Sequence, residues 1–177
     1  MLYIYLGNSF NYKIYDHFYD ILIFMKYLIS ACLANFPVRY DGKAYHYEKI
    51  TQLIQTQQAI TICPEVAGGL NTPRLAAEII GGTAQDVLNN TAKVIDSQGN
   101  DVTKAFIDGA FKTLKMAQTH QVSTVVLKEN SPSCGTTFIY DGSFSGTKII
   151  GLGITACLLQ QHGFHVISED EFLKSLD

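Results

Sequence analysis

The sequence predicts an α/β layered domain around a mainly parallel sheet. Short apolar runs rich in β-branched residues alternate with amphipathic stretches along the chain. No repeat, low-complexity tract or linker divides it. Its 177 residues suffice for one domain with a proper core.

Each element has its own signal. "KYLIS", Lys26 to Ser30, is a first strand, followed by a loop with Pro37 and Asp41-Gly42 as turn residues. "YEKITQLIQTQQ" places Ile50, Leu53 and Ile54 on one helical face. "AITIC" is the second strand, and "PEVAGGLNTPR" reads as a loop. "VIDSQGNDVT" suggests a turn or small hairpin around Gly99-Asn100. A helix from about Thr103 through His120 carries Phe106, Ala110, Leu114 and Ala117 at spacings of three and four. "VSTVVL" is the third main strand. "GITACLLQQHG" is a helix stopped at Gly163, and "FHVIS" is a fourth strand. Ser168 with Glu171 three residues on has the capping-box spacing that opens a last helix.

Bulk properties narrow the function. The formal charge is −3 and no run of Lys or Arg stands out, which argues against a duplex-binding surface. Four cysteines are too few for a convincing disulfide framework, and they read as reduced thiols in the cytoplasm. The first residues, "MLYIYLGNSFNYKIYDHFYDILIF", are crowded with Tyr and Phe, but Lys13, Asp16, His17 and Asp20 interrupt any membrane span. "ISAC", Ile29 to Cys32, resembles a lipoprotein cleavage box. Against it, Lys26 cuts the apolar segment and aspartates stand where basic residues are needed. The expectation is a natural start at Met25, with residues 1–24 an extension and 25–177 the functional domain.

Three cysteines occupy one kind of place. Cys32 follows the first strand, Cys63 ends the second, and Cys134 lies in the loop after the third. In a parallel sheet the carboxyl ends of the strands share one edge, where ligands bind, so these thiols converge. Three soft ligands suit zinc or an iron–sulfur cluster, and three rather than four leave a position open for substrate. Cys157, inside an apolar helix, reads as a packing residue.

The neighbouring loops suit an anionic, planar ligand. The two arginines, Arg39 and Arg74, follow Cys32 and Cys63 by seven and eleven residues. Each is equally well read as a surface ion pair. Ser131 and Ser133 flank Pro132 beside Cys134, and Gly68, Gly69 and Gly135 allow close backbone approach. Asp41, in the turn after Arg39, joins the candidate substrate contacts. Glu65 is a candidate acid or base, or more simply a turn cap.

The motifs "LISACL…VRYDG", "CPEVAGGLNTPR…AEI", "DVTKAFIDGA", "LKENSPSCG…IYDGSFSG" and "GITACLL" resemble, in order, the 2-thiouracil desulfidase family, from Met25 to about Glu171. The resemblance implies a Rossmann-like fold and a [4Fe–4S] cluster held by Cys32, Cys63 and Cys134. It implies removal of sulfur from a thiolated uracil, as free base or monophosphate, by way of the open iron. On this reading Glu65 handles the proton and Ser131 orients water or substrate. Arg39, Asp41, Arg74, Ser133 and Gly135 contact the substrate. The partners are then small molecules, with neither nucleic acid nor membrane. Two rivals remain: a non-catalytic iron–sulfur or zinc module that senses redox state or binds a nucleotide, and a cysteine enzyme with Cys134 as nucleophile. The latter needs a nearby base, and of the histidines only His46 falls near a strand-end loop.

Overall fold

The computed structural model describes residues 26–176. In chain order its elements begin with β1 (Tyr27–Ser30), a 3-10 turn (Ala31–Leu33), α1 (Glu48–Gln55), β2 (Ala59–Ile62) and α2 (Pro64–Ala67). Next come β3 (Ala77–Ile80), α3 (Ala84–Leu88), β4 (Lys93–Asp96), α4 (Thr103–Thr119) and β5 (Thr124–Leu127). The chain continues through β6 (Phe138–Tyr140), β7 (Lys148–Ile150), α5 (Ile154–Gln161), β8 (His165–Ser168) and α6 (Glu169–Ser175).

Four strands form a parallel sheet in the order β2-β1-β5-β8. Alternation along a strand sends neighbouring side chains to opposite faces. Leu28 and Val125 accordingly join one cluster with Phe106, Ala110, Leu158 and Leu159 from α4 and α5. Ile29 and Val126 join a second with Ile50 of α1 and Phe172 of α6. Both faces of the sheet are thus covered. That is why its strands read as continuous apolar runs rather than alternating ones, and the expected α/β layering holds.

The register sets the height of the site. Ser30 pairs with Ile62, Ile29 with Val126, and Leu127 with Ser168, so the strands finish level at one edge. Two antiparallel ribbons, β3–β4 and β6–β7, lie outside the main sheet.

Several short elements differ from expectation. "PEVAGGLNTPR" begins with a helical turn, α2, with Cys63 at its N-cap and Pro64 at its first position. Four residues are too few to display a helical period. β3, α3, β6 and β7 escape notice for the same reason, although Thr83 and Asp86 make a complete capping box at α3. The turn around Gly99-Asn100 is present and is closed by an isolated antiparallel bridge between Ile95 and Asp101, while β4 finds its ladder partner in β3. Gly68 serves packing rather than ligand approach: an added Cβ would lie 2.0 Å from the Ala105 carbonyl oxygen of α4. Gly109 has the same relation to Pro64, so α2 and α4 touch backbone to backbone and fix the helix that starts at Cys63. The extension and the Met25 start lie outside the described residues. The "ISAC" stretch forms the end of β1 and the turn after it, with Ile29 and Cys32 buried. Among the described residues no helix is long and apolar enough to cross a membrane.

Candidate functional site

Three adjacent strands deliver the three cysteines. Cys32 sits in the turn directly after β1, Cys63 at the N-cap directly after β2, and Cys134 in the loop after β5. β1 lies between β2 and β5 in the sheet, and neighbouring strands are roughly 5 Å apart. All three thiols are free, and all three line one cavity of about 520 Å³. Burial first, and then the neighbouring Cys63, push the Cys32 thiol up to about 12. Burial raises Cys63 as well. It raises Cys134 too, with Glu65, Cys63 and Cys32 adding to the effect. A positively charged centre among these buried sulfurs would favour their thiolate form. Among the described residues no three His, Cys, Asp or Glu side chains are grouped to hold one metal ion. Three free thiols lining one cavity are soft donors of the kind that suits an iron–sulfur cluster or zinc.

Hydrogen bonds shape the Cys134 loop. The Ser131 hydroxyl accepts from the N–H groups of Ser133 (3.0 Å) and Cys134 (3.2 Å), and donates to Glu65 Oε1 at 3.1 Å. The carbonyls of Pro132 and Ser133 accept from Ile154 and Thr155, satisfying N–H groups that the first turn of α5 leaves unpaired. Glu129 lies below the loop. Its carboxylate accepts from the N–H groups of Asn130, Thr136, Thr137 and Phe138, and from the Thr136 hydroxyl. Burial would raise Glu129, but these donors outweigh it and hold the carboxyl below its ordinary value. Ser30, on β1, accepts from Lys128 N–H and donates to Cys134 Sγ at 3.8 Å.

Glu65 and Arg74 form a nearly buried pair. Arg74 Nε and Nη2 both reach Glu65 Oε2 at 2.7 Å. Nη1 donates to the carbonyl oxygens of Val38 (3.0 Å) and Asn71 (3.2 Å). A guanidinium committed in this way orients a carboxylate. Arg39 is less engaged. Its Nε lies 3.4 Å from Asp41, and its guanidinium stands 4.7 Å from the centre of the Tyr45 ring. Lys128 approaches that ring at 5.3 Å while its Nζ pairs with the buried Glu169.

The structure thus gathers Cys32, Cys63, Cys134, Glu65, Ser131, Arg39 and Arg74 around one cavity. Asp41, Ser133 and Gly135 do not line it. Asp41 holds Arg39 and caps the Lys43 N–H. Ser133 is fully buried against the Thr155 hydroxyl at 3.0 Å. Gly135 is needed because a Cβ there would meet the Phe138 carbonyl oxygen at 2.5 Å. Sequence reasoning passed over Ser30, Tyr45, Glu78, Lys128, Glu129 and Phe144. Lys128 and Glu129 carried a usable signal, since they stand directly at the end of a buried strand. The cavity lining contains no histidine, the residue most often paired with a nucleophilic cysteine.

The family model for 2-thiouracil desulfurase matches residues 27–171. The chain belongs to this family. The desulfurase match spans both the cysteine-bearing strand ends and the Glu65–Arg74 segment. The protein named "Uncharacterized protein YbbK" of Bacillus subtilis (strain 168) is 54% identical over 144 residues, covering 81% of this chain and 95% of that protein. A solved structure described as a [4Fe-4S]-dependent thiouracil desulfidase, TudS, is 40% identical with a TM-score of 0.75. That match covers 84% of this chain and 93% of the solved one.

Proposed function

We propose that this protein hydrolyses the thiocarbonyl group of a thiolated uracil, giving uracil and hydrosulfide. The observation that carries the reading is the convergence of three buried cysteines and the Glu65–Ser131–Arg74 array on one cavity. Cys32, Cys63 and Cys134 would hold a [4Fe–4S] cluster, which when bound supplies an iron without a protein ligand as Lewis acid for the exocyclic sulfur.

The chain's own residues do the rest. Glu65 is the general base that takes a proton from the attacking water. Arg74 keeps its carboxylate oriented through two bonds to one oxygen, leaving Oε1 to Ser131. The Ser131 hydroxyl accepts from two backbone N–H groups, so its single proton has a defined direction, toward Glu65. Water aligned on this pair is held near the thiocarbonyl carbon. One C–O bond forms, one C–S bond breaks, and no oxidation state changes. Arg39 is the candidate for a monophosphate, because its terminal nitrogens carry no hydrogen bond among the described residues while those of Arg74 are in use.

The test is sulfide release by anaerobically reconstituted protein from 2-thiouracil, 4-thiouracil and 4-thiouridine monophosphate. Release with iron and inorganic sulfide in the purified protein is the expected outcome. Cluster-loaded protein that leaves all three compounds intact would overturn the desulfidase reading and favour a non-catalytic cluster module. Arg39→Ala should raise KM for the monophosphate about ten- to a hundredfold while leaving the free base nearly unaffected, the range of one charge-assisted hydrogen bond. Equal losses on base and nucleotide would remove Arg39 from phosphate recognition.

A further inference from the structure

The segment "YDGSFSG", Tyr140 to Gly146, holds a large ring in an unusual place. Phe144 has φ +57°, the left-handed region that bulky residues rarely adopt. The residue is 39% exposed, belongs to neither core cluster, and is among those that line the cavity shared by Cys134 and Glu65. A strained backbone and an exposed ring both cost stability, so other contacts must hold them in place.

Those contacts come from the β3–β4 ribbon. Glu78 on β3 is buried, with 6% exposure. Its Oε2 accepts from the N–H of Gly142 at 2.8 Å and of Phe144 at 3.1 Å. The loop reaches that carboxylate only because residue 142 is glycine. Its φ is +88°, and a Cβ there would stand 2.6 Å from the Ile79 carbonyl oxygen. Asp141 accepts from the Ser143 N–H at 3.0 Å, so the turn is tied within itself as well. A buried carboxylate, an obligatory glycine and a left-handed phenylalanine therefore act together, and their joint result is to present the Phe144 ring at the cavity.

We propose that Phe144 is the stacking wall for the flat heteroaromatic ring of the substrate, and that Glu78 is the positioning residue that holds it there. This rests on the thiopyrimidine reading of the cavity and adds to it the face on which the ring lies. An aromatic side chain offers any pyrimidine a π-face whichever atom carries the sulfur. The wall therefore selects for a planar ring, and discrimination between thiolated isomers falls to the cysteine edge.

The experiment uses anaerobically reconstituted full-length protein. Phe144→Ala, Phe144→Leu, Phe144→Tyr and Glu78→Gln are compared by KM and kcat for 2-thiouracil and by calorimetric binding of uracil. Phe144→Ala should weaken uracil binding and raise KM about five- to a hundredfold, the range of one base–aromatic contact, with cluster content unchanged. Phe144→Tyr should stay within about twofold of the parent, and Phe144→Leu should resemble Ala, because bulk without a π-face is not enough. Glu78→Gln should move KM in the same direction and speed amide hydrogen exchange at Gly142 and Phe144. If Leu performs as well as Phe, the ring is an apolar lid and the stacking role is wrong. If Ala leaves KM and uracil binding unchanged in an active enzyme, the inference fails while the desulfidase reading stands. A parent protein inert on every thiolated uracil and unable to bind uracil would sink both.

Discussion

Cys134 and Cys157 are equally hidden, at 5% and 8% exposure, yet they sit in opposite surroundings. Cys134 lies in a turn held by Ser131, receives the Ser30 hydroxyl, and has Cys32, Cys63 and Glu65 for neighbours. Cys157 lies mid-way along α5, within 3.4 Å of the Gln161 amide and 3.9 Å of Gln85 Oε1, and no other cysteine is among the influences on its thiol. Burial, the main influence on both thiols, raises each one and so cannot tell a ligand from a packing residue. What separates them is company. A lone buried thiol packs as a small hydrophobe, whereas three that converge at strand ends offer a set of soft donors to one centre.

The sharpest way to break the comparison is to exchange the cysteines one at a time. Cys32→Ala, Cys63→Ala and Cys134→Ala should each abolish cluster content and sulfide release. Cys157→Ala should keep both and cost no more than about 1–2 kcal/mol of stability from the small void it leaves. Iron and sulfide analysis of the purified variants decides. Loss of the cluster in Cys157→Ala alone would reverse the assignment.

Next in size is Glu65→Gln, which leaves the sulfurs and probes the polar side of the Cys134 region. Turnover should fall about 10²- to 10⁴-fold with KM little changed and the visible spectrum of the cluster retained, the range for a lost general base. A change smaller than about threefold would make Glu65 a turn cap only. Arg74→Ala should follow Glu65→Gln in direction, because its guanidinium fixes that carboxylate.

A third variant joins the two regions. Gly153, at the N-cap of α5, is where the Cys134 loop docks, and an added Cβ would lie 2.4–2.6 Å from backbone atoms of Ser133 and Cys134. Gly153→Ala should lower stability by about 1–3 kcal/mol, as overpacking does. It should lower cluster occupancy too, because the strain falls on the backbone of a proposed ligand. Denaturant midpoint and iron content should change together; a fall in midpoint with full occupancy would show that the loop yields without moving the sulfur.

The smallest effect is a pH dependence. Glu129 is held below its ordinary value in the folded chain, so its contribution is present above the unfolded value, about 4.3, and is lost as pH falls through the lower native one. The parent should lose Tm more steeply than Glu129→Gln below about pH 4.3, in the window between these two values. Parallel Tm profiles would mean that the backbone, without the carboxylate, carries the loop.

Much of this was legible in the chain itself. The strands "KYLIS", "AITIC", "VSTVVL" and "FHVIS" announce themselves because both faces of a central parallel sheet are buried. The position of a cysteine after each of the first three follows from reading order alone. Strand order did not. That β1 lies between β2 and β5 is a matter of how helices pack across the sheet, and it alone makes three sulfurs far apart in sequence into neighbours. Spacing also could not divide the roles of the two arginines. Arg74 is spent on Glu65 because the chain after α2 folds back on it, and Arg39 rests on Tyr45, a residue with no motif of its own. The sequence determines which groups exist and where strands end. Only the tertiary structure decides which of them meet, because contacts such as Glu78 to Gly142, or Ser131 to Glu65, join residues 64 and 66 positions apart and leave no local period to read.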